Sequence, residues 1–170
     1  DGDQDIFVNH DFGYKRTPDL LLKNEFPAKR FLNVAEEQNM DLKINSMGTA
    51  VGDYNNDGLM DYFMTNIRFN FFMVNEGVNK GFKNSIKPLG MHSFAISWGA
   101  NFADFDHDGD VDLFVANGDL NPNCQPMADF YFENEAGKFV NNASKYGLNG
   151  YELARGSVVF DIENDGDLDL

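Results

Sequence analysis

The apolar residues of this chain come in short runs closed off by Asn, Asp and Gly, as in Thr49–Gly52, Tyr62–Thr65 and Phe71–Val74. Runs of that length with those boundaries predict β-strands. They recur in a fixed order. An apolar run ends in Asn at Asn9, Asn66 and Asn117, and a phenylalanine follows at Phe31, Phe82 and Phe139. Seventeen residues after each phenylalanine stands a glycine (Gly48, Gly99, Gly156), and five residues further an acidic cluster opens at Asp53, Asp104 and Asp161. Eight residues past each phenylalanine stand Asn39, Gly90 and Gly147, followed by Met40, Met91 and Leu148. Gly or Asn before an apolar residue is how a short helical turn closes through left-handed backbone, so one such turn is predicted per unit.

These are internal repeats. Asp1, Asp57, Asp108 and Asp165 hold equivalent places and are 56, 51 and 57 residues apart. The variation lies between the end of each acidic cluster and the next phenylalanine, which is 26, 21 and 27 residues. Rigid spacing on one side and slack on the other marks a structural unit with one adjustable loop. The units run over about 1–56, 57–107 and 108–164, with 165–170 opening the next. About four short strands per unit is the layout of a propeller blade, so the expected fold is all-β, three blades of a β-propeller. A closed ring takes at least four blades, so the chain is expected to be a fragment of a longer propeller.

Charge sharpens this picture. The 170 residues carry 28 Asp and Glu against 13 Lys and Arg, a net charge of -15 with a pI near 4.3. That argues against nucleic acid as a partner, which needs a basic face, and against an anionic membrane surface. No apolar stretch approaches the roughly 18 residues of a spanning helix, and none reads as a signal peptide, so membrane insertion is not expected. The single cysteine, Cys124, allows no internal disulfide and no CxxC site.

The acidity is local. Four clusters hold 16 of the carboxylates: DGDQD from Asp1 to Asp5, DYNNDGLMD from Asp53 to Asp61, DFDHDGDVD from Asp104 to Asp112, and DIENDGDLD from Asp161 to Asp169. The rest of the chain has 12 acids against 13 bases, so general solubility does not explain the distribution. The complete clusters share the spacing D-x-[DNE]-x-D-G-x-x-D. Oxygens at positions one, three and five alternate along a loop, and glycine at position six (Gly58, Gly109, Gly166) permits a sharp turn. Position seven offers a carbonyl and the aspartate at position nine closes the shell. A cage of oxygen ligands suits Ca²⁺ better than Mg²⁺, which keeps its waters, and lacks the softer donors of a zinc site. A solvated acidic loop would leave the repeated glycine and the ninth-position aspartate unexplained. An EF-hand needs Glu at position twelve, where this chain has Met64 or Val115, and helical rather than strand-like flanks.

On these motifs, above all GDYNNDGLMDYFMTN and ADFDHDGDVDLFVANG, the chain resembles the FG-GAP/VCBS repeats of integrin-alpha-type β-propellers. It is especially similar to secreted repeat proteins related to cartilage acidic protein. The resemblance covers the whole chain and implies a calcium loop between the first two strands of each blade. It implies ligands from Asp53, Asn55, Asp57, the Leu59 carbonyl and Asp61, and from Asp104, Asp106, Asp108, the Asp110 carbonyl and Asp112. A third set would be Asp161, Glu163, Asp165, the Asp167 carbonyl and Asp169. Glu163 departs from the usual Asp or Asn and brings a longer side chain. Asp1, the Asp3 carbonyl and Asp5 form half a site, so about three complete calcium sites and one partial are expected.

No GxSxG, HExxH or phosphate-binding glycine loop is present, and the close carboxylates suit a metal cage better than a glycosidase pair. His10, His92 and His107 occupy unrelated places and read as surface histidines, and Cys124 has no histidine nearby in sequence to activate it. The chain is therefore not expected to be an enzyme. Strand alternation puts the acidic loops on one face and the variable connections His10–Leu20, Ile67–Asn70 and Asn117–Asp129 on the other, where a protein or glycan ligand would bind. Weak calcium sites fill where calcium is plentiful, so the expected setting is extracellular, in adhesion or matrix. The sequence Asn142-Ala143-Ser144 would accept a glycan there. The alternatives are a propeller domain of a larger secreted enzyme acting on polysaccharide or lipid, and a self-assembling subunit of an extracellular fibre.

Overall fold

The computed structural model describes residues 2–77, 79–120 and 125–170. Asp1 and Cys124 lie outside the described residues. The chain forms three antiparallel meanders in succession. The first is β1 (Ile6–Val8), β2 (Leu20–Asn24) and β3 (Phe31–Asn33), paired in that order. The second is β4 (Thr49–Gly52), β5 (Asp61–Met64), β7 (Phe71–Asn75) and β8 (Phe82–Asn84), with β6 (Ile67–Phe69) lying in the connection between β5 and β7. The third is β9 (Phe94–Ala103), β10 (Asp112–Asn117), β12 (Phe130–Asn134) and β13 (Phe139–Asn141). These are propeller blades. Each acidic loop is the hairpin between the inner two strands of a blade, β4–β5 and β9–β10, with Gly52 opposite Asp61 and Ala103 opposite Asp112. Beyond them Phe160 bridges Asp169 around the last loop.

The blades stack face to face, which is why their strands read as unbroken apolar runs rather than alternating ones. All six residues of β10 are buried. Alternate side chains go to opposite neighbours. Phe63 and Phe72 of the second blade meet Leu113, Val115 and Phe132 of the third, whereas Met64 and Met73 turn back onto Leu21 and Met40 at the first. Phe114 and Tyr131 point the other way, onto Ala143 and Leu148. Phe63, Phe72 and Phe132 are all but fully buried, and each such burial contributes about 1.5–3 kcal/mol.

The closing turns form where the sequence places them. Asn39, Gly90 and Gly147 all adopt left-handed backbone, at φ of 59°, 84° and 73°. The next amide in each case reaches back five residues: Met40 N to Ala35 O at 2.7 Å, Met91 N to Ile86 O at 3.0 Å and Leu148 N to Ala143 O at 2.8 Å. The third turn is regular enough to form a helix, α1 (Ala143–Tyr146). The first two turns then grip the next blade, through Phe82 N to Gln38 O at 2.9 Å and Phe139 N to Leu89 O at 3.2 Å.

The connections at the end opposite the acidic loops carry strands that periodicity does not show. β6 pairs with the leading half of β9, Ile67 opposite Ile96 and Phe69 opposite Phe94. One blade on, β11 (Met127–Ala128) pairs with β14 (Tyr151–Glu152). At the first blade, Gly13 N bonds Ile44 O at 2.8 Å and Asp19 N bonds Leu42 O at 3.0 Å. The variable connection of each blade is thus sewn to the segment that leads into the next.

Candidate metal centre

Each acidic loop is folded by its own carboxylates. At position one, Asp53 Oδ1 accepts from Asp57 N at 3.1 Å and its Oδ2 from Gly58 N at 2.7 Å. Asp161 repeats this with Asp165 N at 3.1 Å and Gly166 N at 2.8 Å, and Asp104 Oδ2 accepts from Gly109 N at 3.1 Å. At position five the carboxylates of Asp57, Asp108 and Asp165 accept from the amides of Leu59, Asp110 and Asp167 at 2.8, 2.8 and 3.1 Å. The tight curl needs two left-handed residues. Position six supplies glycine, with Gly58, Gly109 and Gly166 at φ of 84°, 95° and 99°, and position four supplies Asn56, His107 and Asn164 at 57°, 59° and 58°. Asn tolerates that region and glycine has no β-carbon to clash.

Position nine does a different job. Asp61 and Asp112 are buried, and each divides its two oxygens between its own loop and the third strand of its blade. Asp61 accepts from Tyr54 N at 3.3 Å and Asn75 N at 2.8 Å. Asp112 accepts from Phe105 N at 3.3 Å and Asn134 N at 2.9 Å, and also from the Tyr131 hydroxyl at 2.7 Å. Asp169 takes Ile162 N at 2.8 Å, and Asp5 takes Asn24 N at 2.8 Å. Burial pushes the Asp61 carboxyl up to about 6 despite the two amide donors, with Asp57 and Asp53 adding repulsion. Burial also raises Asp112 above the ordinary carboxylate range, and burial with the bond to Asp112 raises Tyr131. A buried carboxylate crowded by its own kind gains from a nearby cation.

Among the described residues, Asp104, Asp106 and Asp108 each offer one carboxylate oxygen such that the three lie within 4.8 Å of one another. Asp104 Oδ1 is also buried without a hydrogen-bond partner, an atom that a cation held by this trio would satisfy. The donor set is oxygen only, which fits a hard divalent cation. In the first loop Asn55 instead turns its amide nitrogen onto Asp57 Oδ2 at 2.9 Å. The carboxylates of the first and last loops, Glu163 included, do not gather as closely. Of the partial site, Gly2 keeps the left-handed turn at φ 95° and Asp5 keeps its strand contact.

The remaining candidates are placed as follows. Asn142 stands at the N-cap position of α1 without a side-chain cap bond, and its side-chain nitrogen donates to Glu133 Oε2 at 2.8 Å. His10 Nδ1 lies 2.8 Å from Pro18 O, and His92 stacks on Phe69 with ring centroids 4.2 Å apart. Two groups of functional residues escaped sequence reasoning. One is Asn24, Asn75 and Asn134, whose amides hold the ninth-position aspartates, and the recurring Asn-Glu pairs at 24–25, 75–76 and 134–135 were the available signal. The other is the position-four side chain. Asn56 Nδ2 donates to Asp110 Oδ1 at 2.7 Å, and His107 Nε2 lies 3.1 Å from Asp167 Oδ1, each reaching across to the next loop.

Comparison with known families agrees with this geometry. A family model described as the FG-GAP-like repeat matches the chain twice, over residues 53–115 and 104–170. Each match begins at the first aspartate of an acidic loop; the first ends within β10, past the second loop, and the second ends at Leu170, just past the third. No curated protein matches the chain.

Proposed function

This chain belongs to the FG-GAP-like repeat family, and from that premise we propose that it is an extracellular scaffold whose acidic loops hold structural Ca²⁺ and whose opposite end meets a protein or glycan. Blades of this family make a repeat scaffold for interaction. The observation that carries the calcium reading is the trio Asp104, Asp106 and Asp108 with the buried, unpartnered Asp104 Oδ1. The holding residues would be Asp53, Asn55, Asp57, the Leu59 carbonyl and Asp61 in the first loop. Asp104, Asp106, Asp108, the Asp110 carbonyl and Asp112 would hold the second, and Asp161, Glu163, Asp165, the Asp167 carbonyl and Asp169 the third. The ion supplies positive charge where the fold concentrates negative oxygen. For a Kd of about 0.1 mM in about 1 mM calcium, linkage gives about 1.4 kcal/mol per loop.

FG-GAP repeats are typical of extracellular proteins, and among the described residues no helix is long and apolar enough to cross a membrane. The partner end is supported by an exposed aromatic group on the face opposite the loops. There Phe69 stacks on His92 and meets Phe94 edge-on at 5.8 Å, with Phe94 66% exposed. The loops themselves are assigned no catalysis, since their carboxylates are occupied in holding backbone and cation.

Thermal unfolding with added calcium, magnesium and chelator tests the calcium reading. The expected result is a midpoint that rises with millimolar calcium, falls back with chelator and responds less to magnesium. A midpoint indifferent to all three overturns it.

A further inference from the structure

We infer that Asn56 and His107 are positioning residues that couple each cation loop to the next one along the chain, so that neighbouring loops bind calcium as linked units. This rests on the calcium reading above. Position four is left-handed in both loops, and its side chain bonds to the next loop rather than to its own cage. Asn56 Nδ2 donates to Asp110 Oδ1 at 2.7 Å and to Gly109 O at 3.3 Å, fifty-odd residues along the chain. His107 Nε2 meets Asp167 Oδ1 at 3.1 Å in the same relation one blade further on. The loops at both contacts are exposed hairpin tips, so no apolar packing forces these side chains together.

The residue gripped is the one that matters to the neighbour. Asp110 donates its amide to Asp108 Oδ1 at 2.8 Å, and Asp167 donates to Asp165 Oδ1 at 3.1 Å. Fixing position seven therefore orients the position-five carboxylate and the position-seven carbonyl together. At the other end of the contact, Asn56 stands between Asn55 and Asp57, two donors of its own loop. A cation that orders one loop thus orders the anchor of the next. A second strut joins the same pair of loops, since Asn134 Nδ2 donates to Tyr54 O at 2.8 Å and to Val111 O at 3.2 Å. Coupling of this kind is reciprocal, so each loop raises the affinity of the other by the same factor.

The test reads each loop separately, through the amide NMR signals of Gly58, Gly109 and Gly166 as calcium is added to the whole chain. Asn56→Gly and His107→Gly delete the side chains while keeping the left-handed backbone that glycine favours, which spares the fold. The expected result is that N56G moves the calcium midpoints of Gly58 and Gly109 upward by about three- to tenfold, the scale of one hydrogen bond, and moves Gly166 less, only through the retained His107 contact. H107G should move Gly109 and Gly166 most and Gly58 less. Midpoints that match the unaltered protein, or that shift equally at all three glycines, overturn the inference. Hydrogen exchange in chelator keeps the outcome separate from the calcium reading. N56G should speed exchange at the Asp110 amide severalfold with no metal present. If no glycine responds to calcium, the calcium reading falls and the coupling with it. If the glycines respond normally and Asp110 exchange is unchanged in N56G, the coupling alone falls.

Discussion

Gly48 lies against the carbonyl of Trp98, so close that a β-carbon on Gly48 would run into that oxygen. The Thr65 hydroxyl completes the contact, 3.1 Å from Gly48 O and 2.8 Å from Trp98 O. This is where the innermost strands of two blades converge. Gly99 repeats it one blade on, its notional β-carbon 2.9 Å from Ser157 N, whereas Gly156 meets nothing within 4 Å. At Gly48 and Gly99 the repeated glycine is therefore a requirement of blade approach, separate from the loop itself. Gly48→Ala should lower stability by about 2–3 kcal/mol and Gly99→Ala by a similar amount. Gly156→Ala should stay within roughly 0.5 kcal/mol. Denaturant unfolding of the three variants checks this ordering, and equal effects would refute it.

Asp19 predicts a pH effect. It is fully buried, accepts from His10 N at 2.7 Å and leaves Oδ2 without a partner. Burial lifts its carboxyl from 3.8 to about 6. The folded state thus holds this proton more tightly than the unfolded chain. Its stabilising effect is full below about pH 4 and is lost as pH rises through about 6. Asn70 occupies the same place in the next blade and donates to Ser97 Oγ at 2.9 Å. Asp19→Asn should raise stability at pH 7.5 by about 2–3 kcal/mol and remove this part of the decline between pH 4 and 7. Unfolding midpoints of the two proteins across that range should diverge with rising pH, and parallel curves would count against the assignment.

The Tyr131 hydroxyl gives Asp112 a third donor at 2.7 Å, where the equivalent residue of the preceding blade is Phe72. Tyr131→Phe removes a buried bond to a charged acceptor and should cost about 1.5–3 kcal/mol without metal. Urea unfolding in chelator measures this, and a loss below about 0.5 kcal/mol would show the bond to be idle.

The second loop has Asp106 where the first has Asn55, and so offers one more carboxylate. It should bind calcium more tightly, and Asn55→Asp should bring the first loop toward it by about three- to tenfold. Calorimetry should resolve two unequal affinities that converge in the variant. Equal affinities in the unaltered protein would overturn the ranking.

Much of this architecture was legible before any coordinates. Thr49–Gly52 is β4 to the residue, and Phe71–Val74 lies within β7. The turn closures at Asn39, Gly90 and Gly147 adopt the left-handed backbone that their residue types imply. These features are local, set by steric preferences within a few residues. β6, β11 and β14 were not legible, because three-residue and two-residue strands such as Ile67–Phe69 and Met127–Ala128 carry too few positions for a period to show. They exist only because the leading segment of the next blade is beside them to pair with.

The chain's sequence alone determines the repeat, the oxygen-rich loops and the turn that curls each one, since a glycine at position six and carboxylates two residues apart constrain the backbone wherever they occur. Tertiary structure decides what each carboxylate becomes. Asp104 is drawn together with Asp106 and Asp108, Asp61 and Asp112 are buried and bound to strand amides, and Asp110 and Asp167 are held from the loop before. The same residue type thus gathers into an oxygen cluster, fastens a loop to a strand, or is gripped as an anchor between loops. The physical reason is that solvation and hydrogen-bond partners are supplied by neighbouring strands and blades, which contact the loop in space but stand tens of residues away in the chain.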